Sequence, residues 1–349
     1  MKEQKKKNNL QTLSLLIVPA ILILILALFM KNSDSSENTL VVYCSHDSVF
    51  AEGILKEFTQ KTGIKVIPKF DTEASKSLGL TEKILFEKDQ SECDVYWSNE
   101  ILSMPSLKNA GLLMSYKGPG YQRIPEKFKD TEGYWCGFAA RLRVIIYNKE
   151  KFNGSYDEVA NTLNSESLKE VTIALPLYGT TLTHFAAMWI TSGGDSLKQQ
   201  YKSWKERQIQ IVPGNGPARN LVANGTCKFG WTDTDDFFGA VDKNAPVGMF
   251  PCRLEDKSTI CIPNTVGIIK HTGKADAAKK LVDYLLSEEI EVKLAHSESR
   301  QIPLGKTDKE LPEEVKNLLP YAEEGTDLKK VFEIRDTLID WIKNEESLK

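Results

Sequence analysis

The sequence predicts an α/β protein with two lobes joined by crossing strands, preceded by an N-terminal hydrophobic leader. Three observations favour this fold. Residues 40–97 alternate short apolar runs with amphipathic helical segments, residues 171–231 repeat that alternation, and residues 138–148 form an apolar strand between the two regions. The length of 349 residues is sufficient for two such lobes.

The composition is typical of a soluble globular protein. Charged residues make up 27% of the chain and hydrophobic residues 41%. The formal net charge is only -3. Because binding to DNA or RNA usually requires a strong basic excess, we expect no nucleic-acid partner.

Residues 1–37 are predicted to be a signal peptide or a membrane anchor, followed by a linker. Four lysines precede an apolar run at residues 13–30, and the residues after that run are polar. The run is short for a bilayer span, yet no clear cleavage site follows it, so both alternatives stay open. In both, the basic flank stays inside the cell. This predicts a periplasmic or extracytoplasmic protein, either released or anchored to the cytoplasmic membrane by residues 13–30.

The six cysteines favour disulfides, because an even number in an exported chain usually reflects pairing. Cys252 and Cys261 flank a polar turn between two strand-like runs and are the best candidate pair. The other four can pair in several ways, and buried free thiols are an alternative for Cys44 and Cys93. No C-x-x-C spacing is present, which disfavours a zinc or redox site.

The first lobe is predicted from a β-α-β-α-β order. Strands at residues 40–44, 64–67 and 94–97 alternate with helices at 49–62 and 71–88. This order implies a parallel sheet, which binds ligands at the carboxyl ends of its strands. The polar residues that follow these strands are therefore candidate ligand contacts. They are Ser45, His46, Thr72, Glu73, Asn99 and Glu100.

The second lobe repeats this logic, with strands at residues 171–175, 208–212 and 228–231. Arg141 lies at the entrance of the strand that joins the lobes, so we expect it in the crevice between them. The other candidates follow strands or begin helices, where free backbone N–H groups can bind an anion. They are Thr180, Thr181, Asn215, Asp233, Asp235 and Asp236.

We predict four segments along the chain. Residues 1–37 are the leader, residues 38–140 the first part of the first lobe, and residues 141–237 the second lobe. Residues 238–349 return to the first lobe, through a strand at 265–269, and end in helices that pack on the outside of the lobes.

Motifs in order along the chain match one known family. They are Val42-Tyr-Cys-Ser45, Asp71-Thr-Glu-Ala-Ser75, Asp94-Val-Tyr-Trp-Ser-Asn-Glu100, Gly133-Tyr-Trp-Cys-Gly-Phe-Ala-Ala-Arg141, Pro176-Leu-Tyr-Gly-Thr-Thr181 and Gly230-Trp-Thr-Asp-Thr-Asp-Asp236. Through these motifs, residues 40–305 resemble family 1 of the extracellular (periplasmic) solute-binding proteins of ABC importers, in the branch that binds ferric iron.

The resemblance implies a type II-like periplasmic-binding-protein fold, in which two lobes close on a ligand around crossing hinge strands. It also implies a transport protein rather than an enzyme. Such a protein is a monomer without a catalytic cofactor, and it delivers a small molecule or metal ion to an ABC permease in the cytoplasmic membrane. In this branch the transported ligand is Fe(III).

One motif departs from the family pattern. Iron-binding relatives carry two adjacent tyrosines after the strand that ends at Trp231, and by spacing Asp235 and Asp236 stand at those positions. Carboxylates are also hard oxygen donors that suit ferric iron. The resulting candidate metal ligands are His46, Glu100, Asp235 and Asp236.

Two of the candidates have ordinary structural alternatives. His46 can be a histidine that hydrogen-bonds to backbone near a helix start. Asp233 can cap the helix that follows it.

The candidate set leaves the ligand open. Clustered carboxylates favour a cation, whereas Arg141, the paired threonines and the helix N-termini favour an anionic group. A metal bound together with a synergistic anion satisfies both, as in the iron-binding branch. The alternatives are an organic cation or a phosphorylated compound. A membrane-anchored exoplasmic metal-dependent hydrolase is a second alternative, disfavoured because the chain has no H-E-x-x-H motif.

Overall fold

The computed structural model describes residues 38–71, 78–152 and 154–347. The predicted leader at residues 1–37 therefore lies outside the described residues. None of the helices in the described ranges has both the length and the apolar character needed to cross a membrane.

The described residues form an α/β fold. The strands are β1 (Thr39–Cys44), β2 (Lys65–Phe70), β3 (Val95–Ser98), β4 (Leu113–Met114), β5 (Cys136–Asn148), β6 (Val171–Ala174), β7 (Gln210–Val212), β8 (Phe229–Asp233), β9 (Val247–Pro251) and β10 (Cys261–Ile269). The helices are α1 (Ser48–Thr62), α2 (Leu78–Glu87), α3 (Ser103–Asn109), α4 (Pro119–Arg123), α5 (Tyr156–Leu163), α6 (Gly179–Ser192), α7 (Gly194–Glu206), α8 (Asn215–Ala223), α9 (Thr234–Val241), α10 (Ala275–Leu285), α11 (Glu288–His296), α12 (Glu313–Lys316), α13 (Leu319–Glu323) and α14 (Arg335–Glu345). Short 3₁₀ helices lie at Lys88–Gln90, Glu126–Phe128 and Leu328–Ile334.

In the first helix, α1, the spacing of apolar residues determines the buried face, and a glycine determines the C-terminal end. Ile54, Leu55 and Phe58 recur at helical spacing and are buried, so α1 packs this face on the sheet. Gly63 ends the helix with a φ of 74°, in the left-handed region, and its N–H donates to the carbonyl of Thr59. The predicted stop at Gly63 is confirmed.

The first sheet has mixed strand directions. β1 lies between β2 and β3 and is parallel to both, which confirms the predicted β-α-β-α-β unit. β10 runs antiparallel to β3, β4 and the first half of β5. The carboxyl ends of β1 and β3 therefore lie beside the strand that leaves this sheet.

That strand, β5, crosses from the first sheet to the second. Its residues 136–142 pair with β10, whereas residues 143–148 pair with β8 and β9. All of its residues are buried except Tyr147, which is half-buried. The predicted crossing strand at residues 138–148 is confirmed, and it begins two residues earlier, at Cys136.

The second sheet extends further along the chain than predicted. β8 is antiparallel to β5 and parallel to β6, and β6 is parallel to β7. β9 also pairs with β5 in this sheet, from Val247 to Pro251. The predicted return to the first lobe at residue 238 is therefore too early, because the hydrogen bonds of β9 keep residues 247–251 in the second sheet.

The last helix, α14, packs against α6 and α7. Trp341 of α14 lies with its ring centroid 6.1 Å from that of Trp189 and 5.7 Å from that of Tyr201. Lys205 of α7 forms ion pairs with Glu345 and Glu346. The last helix is thus held by aromatic packing and by charge.

The structure contradicts the predicted disulfide between Cys252 and Cys261, because both are free, buried thiols. Their side chains belong to two different hydrophobic clusters, one around Trp231 and the other around Phe138. Burial raises the pKa of each thiol to about 12, so neither is a reactive thiolate.

A glycine at the centre of the second sheet gives the first testable prediction. A Cβ at Gly230 would lie 2.5 Å from Cγ2 and 2.6 Å from the carbonyl oxygen of Thr172, the residue that it pairs with on β6. We expect Gly230→Ala to lower the free energy of unfolding by about 1–3 kcal/mol, because the backbone must move apart. Chemical denaturation followed by circular dichroism measures the change.

Gly53 in α1 provides the matched control. A Cβ there meets nothing within 4 Å, so Gly53→Ala should leave stability unchanged or raise it by about 0.5–1 kcal/mol. Equal stability of Gly230→Ala and the wild type would contradict the close approach of β6 and β8.

Candidate functional site

A cavity of about 580 Å³ lies between the two sheets. Asp47 and Phe50, at the start of α1, contribute from the first sheet, and the N-termini of α6 and α8 contribute from the second. Eight of the sequence-predicted residues line it. They are Asn99, Arg141, Thr180, Thr181, Asn215, Asp233, Asp235 and Asp236.

Arg141 connects the two walls of the cavity. Its Nη1 donates to the carbonyl oxygen of Asn99 at 2.8 Å, and its Nη2 donates to Oδ1 of Asn264 at 3.0 Å. Its Nε lies 3.1 Å from Oδ2 of Asp235. Arg141 is only 2% exposed, so this ion pair is largely removed from water. A guanidinium in such a position attracts anionic oxygens of a solute or of the protein.

Arg143, two residues later on β5, lies behind the cavity wall. Its Nη1 donates to Oδ1 of Asp233 at 2.8 Å, Oδ1 of Asn215 at 3.0 Å and Oγ1 of Thr180 at 3.3 Å. Arg143 was not in the sequence-predicted set. The signal that could have found it is the two-residue period of a strand, which places Arg141 and Arg143 on one face.

Both arginines of β5 meet an aspartate from the junction of β8 and α9. Arg143 is directly opposite Asp233, the last residue of β8, in this antiparallel pair. Asp235 lies two residues further on, in the first turn of α9, and its Oδ2 is 3.1 Å from Nε of Arg141. The end of one strand and the start of the next helix thus supply the two acidic partners.

Asp233, Asp235 and Asp236 form an acidic cluster on the cavity wall. One oxygen from each lies within 4.8 Å of the others, a spacing that could hold a metal ion. Asp236 also accepts from the hydroxyl of Thr232 at 2.9 Å and lies 3.4 Å from Nη1 of Arg219. Each carboxylate of the cluster thus has an arginine partner. Asp233 is the N-cap residue of α9, but its side chain makes no capping hydrogen bond.

The N-termini of α6 and α8 form a second, electropositive part of the wall. Neither has a side-chain cap, so first-turn N–H groups remain without helical partners. Gly179 begins α6 with a φ of 52°, which only glycine adopts without strain. Thr181 donates to Oδ1 of Asn215 at 3.0 Å and so links the two helix ends. This part of the wall suits an anionic oxygen.

His46, which was predicted as a ligand and metal contact, is not among the residues that line the cavity. The ring is 2% exposed. Its Nδ1 lies 3.3 Å from Nη2 of Arg141, and its Nε2 lies 3.0 Å from the side-chain amide of Gln301. Because both nitrogens are hydrogen-bonded, neither is free to coordinate a metal. Its neighbour Ser45 is also outside the lining and lies 3.0 Å from the hydroxyl of Tyr96.

Glu100, which was predicted as a metal ligand, is not among the residues that line the cavity. Its carboxylate accepts hydrogen bonds from the backbone N–H groups of Leu102 and Ser103 and from the hydroxyls of Ser103 and Thr183. It is fully buried outside the cavity, and burial raises its pKa. Its role is to hold the start of α3. The remaining predicted contacts, Thr72 and Glu73, lie outside the described residues.

His184 of α6 is buried next to Arg143, with 3.5 Å between its Nδ1 and Nε of that arginine. Burial, and secondarily the Arg143 charge, holds the pKa of His184 well below its ordinary value of 6.5. The unfolded chain protonates this histidine near 6.5, whereas the folded chain does not. Its contribution to stability is therefore complete above that pH and is lost as the pH falls.

We expect this loss to approach about 1.4 kcal/mol per pH unit below the ordinary pKa of histidine. His184→Gln should flatten the fall in unfolding free energy between neutral pH and pH of about 5. His271→Gln, which changes an exposed histidine, is the control. Denaturant titrations at a series of pH values measure both slopes. Identical slopes for wild type and His184→Gln would contradict the prediction.

Comparison with known proteins gives three informative relatives. The chain is 24% identical over 255 residues to "Iron uptake protein A1" of Synechocystis, which is 69% of each chain. The ferric binding protein from Campylobacter jejuni superposes with a TM-score of 0.73 and 22% identity, covering 87% of this chain and 99% of that one. AfuA from Actinobacillus pleuropneumoniae, with exogenous fructose-6-phosphate bound, gives 0.74 and 22%, covering 89% and 99%.

These structures show the same fold, which confirms the predicted two-lobe architecture. Residues 45–292 match the family model of bacterial extracellular solute-binding proteins. Members of this family bind solutes and are not enzymes, so the hydrolase alternative is not supported. Because the match spans well over half of its length, the chain belongs to the bacterial extracellular solute-binding protein family.

Proposed function

We propose that this chain is the substrate-binding component of an ABC importer and that it captures ferric iron together with a synergistic anion. The acidic cluster on the wall of the cavity carries this proposal, because Asp235 and Asp236 provide hard oxygen donors that lie within 4.8 Å of each other and of Asp233. The iron-uptake and ferric-binding proteins among the relatives support it.

Asp235 and Asp236 are the proposed ligands, and each now pairs with an arginine that also lines the cavity. A trivalent cation would compete with Arg141 and Arg219 for these carboxylates. The displaced guanidinium groups, together with the N-termini of α6 and α8, would then face the synergistic anion. Cation and anion would thus be bound by neighbouring parts of one wall.

The proposed transport mechanism depends on a solute that contacts both walls of the cavity. A solute that contacts the first and the second sheet favours the closed arrangement by its differential affinity for it. The closed protein, a monomer on the outer side of the cytoplasmic membrane, would deliver the solute to the permease. This mechanism requires neither a catalytic cofactor nor nucleic acid.

The test is metal analysis combined with titration. Purified protein is titrated with ferric citrate, with and without phosphate, while the fluorescence of Trp231 and the other tryptophans is followed. We expect one iron per chain. Asp235→Asn should bind iron at least about tenfold more weakly, because even the mutation of residues that only hydrogen-bond to metal ligands typically lowers metal affinity by that factor. Asp276→Asn, at an exposed aspartate of α10, is the control. Equal affinity of wild type and Asp235→Asn would refute the assignment.

A phosphorylated organic compound is the second candidate, and one observation favours it. All three carboxylates of the cluster already have arginine partners, so the cavity wall need not attract a cation. The volume of 580 Å³ also exceeds what an ion needs. AfuA, the neighbour with bound fructose-6-phosphate, has the same fold. A thermal shift with fructose 6-phosphate, and none with ferric citrate, would establish this candidate over iron.

A further inference from the structure

We infer that Arg143 sets the charge preference of the cavity, although it does not itself line the cavity. It does so by keeping Asp233 in an internal ion pair, so that only Asp235 and Asp236 remain available to a cation. This inference deepens the proposed function and rests on it, because it concerns the same cavity.

The burial of the pair is the first step. Arg143 is 0% exposed and Asp233 is 4% exposed, with 2.8 Å between Nη1 and Oδ1. A buried charge must be balanced nearby, and each of these two groups balances the other. Asp233 therefore adds no uncompensated negative charge to the cavity.

The second step is that this pair differs from the other two. Arg141 and Arg219 line the cavity, so their pairs with Asp235 and Asp236 can rearrange around a solute. Arg143 is behind the wall, and the same Nη1 that holds Asp233 also donates to two further acceptors, Thr180 and Asn215. Oδ2 of Asp233 in turn accepts from the hydroxyl of Thr180 at 2.5 Å and from the side-chain amide of Asn215 at 3.0 Å, so Asp233 is bound to the same two groups as Arg143.

The third step concerns the anion-favouring part of the wall. Thr180 belongs to the first turn of α6, and Asn215 begins α8. Asn215 also donates to Oγ1 of Thr180 at 2.8 Å, which closes a hydrogen-bonded group around Nη1 of Arg143. Arg143 thus holds both helix ends at fixed positions. Loss of this arginine should weaken anion binding and, at the same time, release a carboxylate for cations.

Terbium(III), a hard trivalent cation whose luminescence is sensitised by nearby tryptophan, is a suitable probe because Trp231 is two residues from Asp233. The full chain is titrated with terbium(III) and, separately, with fructose 6-phosphate. We expect Arg143→Gln to bind terbium(III) about tenfold more tightly than wild type or better, since the released carboxylate of Asp233 gains a partner. Its response to fructose 6-phosphate should fall.

Two further variants separate this role from a general structural one. The double variant Arg143→Gln/Asp233→Asn, which has neither buried charge, should lose the gain in terbium(III) affinity. Arg143→Lys keeps the positive charge but lacks the planar guanidinium group with its several N–H donors. Terbium(III) affinity should therefore stay near that of the wild type, while the response to fructose 6-phosphate falls. This variant also keeps the inference testable if Arg143→Gln does not fold.

Equal terbium(III) affinity of Arg143→Gln and the double variant would overturn the inference, as would a gain in Arg143→Lys. A purely structural role predicts that both affinities fall together with the melting temperature, which would also overturn it. Failure of the proposed function is a separate result: wild type that binds neither ferric citrate nor fructose 6-phosphate refutes that function, while the terbium(III) comparison still decides the role of Arg143.

Discussion

Arg141→Gln is expected to reduce affinity for an anionic solute more than any other single change in the cavity. Arg141 bridges Asn99 on one wall to Asp235 on the other, at 2% exposure. Removing a buried charge that pairs with an oppositely charged group of a bound solute typically costs about 2–5 kcal/mol of binding free energy, or roughly 30-fold to several thousand-fold in affinity. Isothermal titration calorimetry with fructose 6-phosphate, and with phosphate in the presence of ferric citrate, measures the loss.

Arg253→Gln is the matched control for this prediction. Arg253 also pairs with a carboxylate, Glu324 at 2.9 Å, but its side chain is 33% exposed and lies outside the cavity lining. Its replacement should leave affinity within about twofold of wild type, since exposed ion pairs contribute little. If Arg141→Gln retained wild-type affinity for every solute that the wild type binds, the cavity would not be the binding site.

The cavity wall could largely be predicted because it follows from strand periodicity and sheet topology. Polar residues that come directly after a strand, such as Asn99 and Asp235, must lie at the edge of the sheet. Residues that begin a helix after a strand, such as Thr180 and Asn215, lie at the same edge with free N–H groups beside them. Both rules use only local sequence, and both gave residues that line the cavity.

The orientation of buried polar side chains could not be predicted in this way. His46 and Glu100 also follow strands, yet they turn inward because their partners come from distant parts of the chain. His46 contacts Gln301 and Arg141. Glu100 accepts from Thr183 in addition to its neighbours Leu102 and Ser103. Local patterns contain no information about the distant contacts among these. For Arg143 the strand period indicates the side of the strand that it shares with Arg141, but not its three acceptors, which are 37 to 90 residues away.

Glu291 is expected to show the largest effect on stability. Its side chain is 0% exposed, and its carboxylate accepts from the backbone N–H groups of Ala139 at 2.9 Å, Leu304 at 2.9 Å and Gly305 at 3.0 Å. It also pairs with Nη1 of Arg123 at 3.0 Å. Glu291→Ala leaves the three backbone N–H groups without this acceptor and removes the charged partner of Arg123, so we expect a loss of about 3–5 kcal/mol in the free energy of unfolding. Denaturant unfolding followed by circular dichroism measures it.

Glu289→Ala, on the same helix, is the control. Glu289 is 59% exposed and pairs only with Lys61 at the surface, so its replacement should change stability by less than about 1 kcal/mol. Similar stabilities for the two variants would show that the buried carboxylate is not needed to hold the strand.

Replacement of Glu291 should also alter the cavity, because Glu291 binds the crossing strand β5 that carries Arg141. Ala139 has a φ of 42°, in the left-handed region that is unfavourable for residues with a side chain. It lies where the pairing of β5 with β10 shifts register, beside Asn264, and two residues before Arg141. Without Glu291 to bind its N–H group, Ala139 should relax toward ordinary strand geometry and move Arg141. The milder variant Glu291→Gln keeps only one acceptor oxygen and places an NH2 group against the donors that face the other. Under conditions where it is fully folded, we expect it to bind solute more weakly than Glu289→Gln. Equal affinities would show that the position of Arg141 does not depend on Glu291.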